Sequence, residues 1–447
     1  MVLRRAVSMR RRDTSMVKSL QSISALLLGS AILLFAGGLN GMILPVRGGV
    51  EGFSAISLGL LGTGWAIGYV AGCLVTPGLV AGIGHIRAFT LMSALAGVAV
   101  LLSLLFIHPA AWIVLRALSG FCFAGAAMIV ESWLNERTEA RLRGKVFGIY
   151  TMVGLAATTT GQMALTFAPI DGHVLFVLAG AFYCISLVPV ALTSSGAPQP
   201  LVVVRLDLAG LWRNSPVAVF AAFMLGISNA SFFTLHVVYA EQVGLGLTVV
   251  ALFAAVPVMA GALSQIPVGI LSDRMDRRIV LLGLCLLAAA ADATFIFLAP
   301  EGRGMNLAAV ALFGATSLAI YPVAMAHAND HAAPGAFIQT SGGVLMVFGV
   351  GSAFGPLLAG VSMNALGPQA LFCITIVSHC ATAAFTIVRM MISRAVPQEQ
   401  KGAFHVAQPG RISTPETATL IGDEADLPSN EGREACGQED SAELRAA

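Results

Sequence analysis

The sequence predicts an all-α integral membrane protein of twelve transmembrane helices arranged as two pseudo-symmetric six-helix bundles. Three observations predict it. Of 447 residues 57% are hydrophobic and only 11% charged, where a soluble domain runs near 45–50% apolar and about 25% charged. About twelve apolar runs reach the ~20 residues that a bilayer core demands. Turn motifs recur at half the length of the apolar part: Pro77-Gly78 answers Pro267-x-Gly269, and Gly161-Gln162 answers Gly355-Pro356.

The spans fall at 21–45, 53–81, 88–107, 110–133, 146–167 and 173–194, then 216–240, 247–271, 279–299, 305–327, 337–361 and 368–392. With no water in hydrocarbon to satisfy the backbone, runs this long must be helices. Residues 1–20 form a basic tail with Arg4, Arg5, Arg10, Arg11, Arg12 and Lys18. The apolar run after it is too long for a cleaved signal and lacks an A-x-A site. Residues 195–215 link an N-terminal bundle (21–194) to a C-terminal bundle (216–392). Ten of the 23 acids lie between Glu399 and Glu443, in a Gly-, Pro- and Ser-rich stretch (393–447) that reads as a disordered acidic tail.

Orientation follows the basic residues. With both termini in the cytoplasm, Arg87, Arg137, Arg141, Arg143, Lys145, Arg205, Arg213, Arg274, Arg277 and Arg278 fall on the inner side, and Arg47 and Arg303 on the outer. A net charge of +2 gives no footprint for nucleic acid. Six of the seven cysteines sit in apolar runs and behave as small hydrophobes, and none forms a C-x-x-C pair, so neither a disulfide framework nor a metal site is expected. With no phosphate-binding Gly-Lys-Ser/Thr loop and no triad spacing, neither ATP drive nor an enzyme is indicated, and no cofactor is expected.

Gly269-x-x-x-Asp273-Arg274-x-Asp276-Arg277-Arg278 resembles the loop motif of the major facilitator superfamily. Arg116-x-x-x-Gly120 and Gly351-x-x-x-Gly355-Pro356 are similar to two of its helix motifs. Gly84-His85-Ile-Arg87-Ala-Phe89, Glu131-Ser-Trp133-Leu-Asn135-Glu136 and Tyr321-Pro322 with Ala326-His327-Ala-Asn329-Asp330 resemble a bacterial subgroup, the YcaD-like permeases. Gly82 and Gly84-His85 replace the charged core of the first-half loop, Gly161-Gln162 stands where Gly-Pro is usual, and Asp276 replaces a glycine. The resemblance implies a monomer in the bacterial inner membrane that moves a small-molecule solute by alternating access, coupled to protons. The alternative is a transport-dead sensor or scaffold that uses its acidic tail.

Several residues carry possible chemistry. Arg116 lies about 10 Å from the middle of span four at 1.5 Å per residue, and a charge at that depth faces protein or water rather than lipid. Asn229, Phe233, His236 and Tyr239 follow one another along one face of span seven. The resemblance places such first-of-triplet helices along the cavity, where Asn40 and Tyr321 complete a ring. Asp292, His236 and Glu131 are the proton-site candidates. Each has a plainer reading: Asp292 as a structural contact on a peripheral helix, His236 as an interhelical hydrogen bond, Glu131 as a partner of Arg141 or Arg143. Asp273, Arg274, Arg277 and Arg278 read either as solvated inner-loop charges or as a gate that meets Arg143 and Lys145 at the start of span five.

Overall fold

The computed structural model describes residues 2–138, 142–192, 207–300, 302–333 and 336–393, together with 397, 401, 402, 404 and 414; side chains are described from Ser24 onward. Twelve long helices order the chain: α1 Val2–Val50, α2 Ala55–Ile83, α3 His85–Leu105, α4 Pro109–Arg137, α5 Arg143–Met163 and α6 Val174–Ala191, then α7 Pro216–Gln242, α8 Leu247–Arg274, α9 Arg277–Leu298, α10 Arg303–Asp330, α11 Phe337–Leu366 and α12 Ala370–Ile392. Eleven of these are long and apolar enough to cross a membrane. The twelfth, α5, falls short because it carries Thr158, Thr159, Thr160 and Gln162, and much of that polar stripe proves to line a cavity.

The helix ends correct the sequence reading at two places. The basic tail, expected to precede the first helix, is helical from Val2. Asp273 and Arg274 belong to the last turn of α8, and Arg277 and Arg278 to the first turn of α9, so the inner loop shrinks to Met275 and Asp276. Asp276 makes so sharp a corner possible. Its carboxylate accepts the Arg278 backbone N–H at 3.0 Å and caps α9, the preferred role of Asp at that position. Between the bundles a short helix, Leu208–Asn214, is capped in the same way by Asp207, which accepts from Gly210 N at 2.8 Å; residues 193–206 of the linker lie outside the described part, as does most of the acidic tail.

Small residues decide how closely the helices cross, since lipid offers no hydrophobic drive for helix pairing. A Cβ on Gly68 of α2 would lie 1.8 Å from the Ala117 carbonyl of α4, and one on Gly120 of α4 would lie 2.1 Å from that of Trp65. The second half repeats the device: Gly314 of α10 sits as close to the Pro257 carbonyl of α8. The motif pair is equally faithful. Gly161 of α5 abuts the Phe35 carbonyl of α1, and Gly355 of α11 abuts that of Ile227 in α7, each about 2 Å from an added Cβ. The sequence repeat is therefore a repeat of contacts.

The halves meet along α2 and α11. The seam runs from Gly360 against Ala55, through Gly59 against Pro356 and the Thr63 hydroxyl donating to Ala353 O at 2.8 Å, to Gly349 against Val70. All of this lies between the start and the middle of α2, away from the end that carries Arg87 and Arg274–Arg278, here termed the basic end.

Candidate functional site

Above the middle of that seam, a cavity of about 110 Å³ opens between the halves. One water needs roughly 10–15 Å³, so the space is several times larger than a single water requires. The N-terminal half supplies Gly37, Gly38, Asn40 and Gly41 from α1, Trp65 from α2, Arg116, Ser119 and Phe123 from α4, Thr158, Thr159 and Gln162 from α5, and Tyr183 from α6; the other half adds Phe233, His236 and Val258. Glycines on α1 leave open the space next to Arg116 and Phe123.

Arg116, His236 and Asn40 all border this cavity. Arg116 is 6% exposed, and no Asp or Glu lines the cavity. A guanidinium so placed carries a desolvation penalty of several kcal/mol, and among the described residues no acidic group is paired with it. The Asn40 amide hydrogen-bonds the Tyr183 hydroxyl, while Asn40 Oδ1 and Gln162 Oε1 are buried acceptors without a partner among the described residues. His236 is held from behind: its Nδ1 lies 2.9 Å from Phe232 O, a carbonyl that only accepts, and its ring stacks between Phe232 and Phe253.

The other cavity expectations need correction. Asn229 is buried inside the C-terminal half, where its Oδ1 accepts from Ser317 at 2.9 Å. Tyr239 turns away: at 100° per residue it points some 60° off His236 and 120° off Phe233, the two α7 side chains that line the cavity. It packs edge-on to Phe295 and Phe372. Tyr321 is 1% exposed against Phe348. Sequence reasoning missed Trp65, Thr158, Thr159, Gln162 and Tyr183. The only available signal was the polar stripe of α5, which a motif comparison treated merely as a departure at Gln162.

Of the proton-site candidates, only His236 lines the cavity. Asp292 is fully buried between α9 and α12, accepting from Thr375 Oγ1 at 2.7 Å and pairing with His379 Nδ1 at 2.8 Å. His379 Nε2 continues the chain to Ser228 and Ser317 at 3.2 and 3.1 Å. Glu131, also fully buried, accepts from the Tyr150 hydroxyl at 3.4 Å and from the Thr414 hydroxyl at 2.5 Å. Arg141 lies outside the described residues and the Arg143 side chain is not described, so the basic partners expected for Glu131 are not on view.

At the basic end the expected gate is a pair of forks. Arg277 is 1% exposed and reaches Asp330 through Nε at 2.6 Å and Nη2 at 3.3 Å, Ser272 at 3.0 Å and Asp273 at 3.4 Å. Arg278 clasps Asp276 at 2.8 Å and ties the end of α12 through Ser393 O at 3.0 Å. Arg274 is exposed. Part of the tail seats here: Lys401 Nζ donates to Met275 O at 2.7 Å, Gly402 O accepts from Arg277, and Phe404 N donates to Asp273 at 3.0 Å. The side chains of Arg143 and Lys145 lie outside the described part, so the contact expected between them and Asp273 is not seen.

Burial pushes the Asp276 carboxyl up, but hydrogen bonds and charge from Arg278 outweigh it and hold the group below its ordinary value. A depressed carboxyl stabilises the fold above its unfolded pKa of about 3.9 and loses that contribution as pH falls through the lower folded value. Asp276→Asn should therefore melt earlier than the parent at pH 7, with the gap closing only below about pH 4. A gap that closes near neutrality would contradict the pairing.

Comparison with known proteins converges on one fold. A family model described as Major Facilitator Superfamily matches residues 217–420. An uncharacterized MFS-type transporter of Enterobacter sp. (strain 638) is 24% identical over 378 residues, 83% of this chain and 95% of its own. The uncharacterized MFS-type transporter YcaD of Salmonella typhi is 25% identical over 391 residues, 86% of this chain and 98% of its own. Among solved structures, that of the nucleoside transporter NupG superposes with a TM-score of 0.69 at 12% identity, covering 83% of this chain and 98% of that one.

Proposed function

From its likeness to the major facilitator superfamily, whose model matches residues 217–420, we propose that the chain is a secondary transporter whose halves rock about the Asn40–Arg116–His236 cavity. It moves a compact organic solute by alternating access and couples that movement to protons. The observation that carries this reading is the cavity itself: a polar, aromatic-walled space bordered by helices of both repeats beside the seam. Transporters of repeated bundles hold substrate at such an interface and expose it to either side by rigid-body motion. The positive-inside rule puts the basic end and both termini in the cytoplasm of a bacterial cell. The seam therefore closes the outer side.

His236 is the proton site in this reading, since imidazole titrates nearest physiological pH and among the described residues no carboxylate reaches the cavity. Asp292 and His379 serve instead as an internal strut of the second bundle. The test is reconstitution in liposomes with an imposed pH gradient. The parent should accumulate solute against its gradient and stop when a protonophore is added. His236→Gln should lose at least tenfold of the gradient-driven accumulation yet keep solute exchange. Protein that neither exchanges nor accumulates any solute would sink transport; a His236→Gln variant that accumulates normally would sink the proton role alone.

A further inference from the structure

We infer that the solute is a compact cyclic monocarboxylate bearing a hydroxyl or N–H group, with Arg116 as its only charge partner. This rests on the transport reading and narrows it to a chemical class.

The first ground is charge. Among the described residues the ion pairs are Arg47–Glu51, Arg277 with Asp273 and Asp330, Arg278–Asp276 and His379–Asp292. None involves Arg116, whose guanidinium borders the cavity while 94% shielded from solvent. A buried charge is retained where it is paired, and with no acidic partner among the described residues we assign that role to the solute. One guanidinium balances one negative charge, and its planar fork fits a carboxylate bidentately. A phosphomonoester, with about −1.5 to −2 charges at pH 7, would bring a buried surplus that Arg116 alone does not neutralise while His236 is uncharged.

The second ground is the pair of unsatisfied acceptors. Asn40 Oδ1 and Gln162 Oε1 have no donor among the described residues, and both residues border the same space. Buried acceptors left unpaired are costly, so a solute that fits carries a hydroxyl or N–H as well as its acid. The third ground is the wall. Trp65 and Phe123, with ring centroids 5.9 Å apart, present aromatic surface beside the polar groups, which suits a flat ring. A space of about 110 Å³ between the halves suits a single ring with small substituents.

The test uses purified full-length protein and matched probes: 4-hydroxybenzoate, its neutral amide 4-hydroxybenzamide, the cation 4-hydroxybenzylamine and 4-hydroxyphenyl phosphate, with the same four head groups on pyrrole and indole rings. Binding is read by thermal shift and calorimetry. At least one carboxylate should bind, with its amide and amine at least tenfold weaker and its phosphate weaker too. Arg116→Gln should abolish the preference for the carboxylate over the amide, and Arg116→Lys should keep part of it, because charge remains but the fork is lost. The inference is overturned if amide, amine or phosphate binds as well as the carboxylate, if Arg116→Gln keeps the preference, or if no carboxylate binds. Counterflow of the bound probe in liposomes separates the two readings. A neutral probe that exchanges would leave transport standing without the acid preference. A carboxylate that binds but never exchanges would leave the site chemistry and remove transport.

Discussion

Gly59→Leu should leave the protein folded and membrane-inserted while lowering transport at least a hundredfold; Gly68→Leu, nine residues along the same helix, should instead prevent folding. Both glycines permit backbone contact, so helix propensity does not separate them. What differs is the neighbour. Gly68 faces the Ala117 carbonyl of α4 within the first half, where an added Cβ would lie 1.8 Å away. The two helices are joined by α3 and cannot part without opening the packing of their own half. Overpacking of ordinary cores costs about 1–3 kcal/mol, and a leucine driven into backbone is worse than that.

Gly59 faces the Pro356 carbonyl of α11 across the seam, with 2.2 Å to an added Cβ. Two packed bundles can separate there at small cost to either one, as rigid-body transitions require. The leucine therefore removes one state and shifts the population to the other. The check is a cysteine at Thr63, whose hydroxyl bonds Ala353 O in the closed seam. In a Gly59→Leu background, a membrane-impermeant reagent applied from the outer side should label it at least tenfold faster than in the parent. Unchanged labelling with normal transport would show that this seam does not open during the cycle.

Arg277→Ala should be the most damaging change at the basic end. Its guanidinium and the Asp330 carboxylate are 1% and 2% exposed, joined by two hydrogen bonds. Removing one member of a buried pair strands the other charge, a loss of about 3–5 kcal/mol. Arg277→Lys should fall between, because an ammonium cannot fork. Arg277→Met with Asp330→Leu should recover much of the loss, since an apolar replacement leaves no stranded charge. Melting in detergent measures all three. An Arg277→Ala protein as stable as the parent would mean that the pair contributes nothing, and that the Asp273 and tail contacts converging on Arg277 do not depend on it.

The contrast between these two sites shows how far the sequence could be read. Gly64, Gly68 and Gly72 announce a close crossing by their spacing alone, yet only the structure separates them, facing α4, from Gly59 and Gly62, facing the second half. Arg277 was legible as a charged residue in a loop motif. Its burial was not, because Asp330 lies 53 residues away in sequence and comes to it only through the packing of α10 against α9.

The amino-acid sequence alone determined the lipid environment, the helices and the six-plus-six duplication, since these rest on local quantities: apolar run length, turn residues, and motifs repeated at a fixed spacing. It also marked Arg116, Asn40 and His236, because a polar group in an apolar span has few places to go. Tertiary structure decided everything that needs an azimuth. On α7, Phe233 and His236 face the cavity while Tyr239, rotated away from both, joins Phe295 and Phe372; Asn229 shares their azimuth but sits one to two turns along, where it answers Ser317. On α5, Thr158, Thr159 and Gln162 complete a wall that no motif pointed to. The physical reason is that hydrophobicity fixes depth along the bilayer normal but not rotation about it. In lipid, rotation is set by which backbones can touch, and that is a property of pairs of helices rather than of any one stretch of chain.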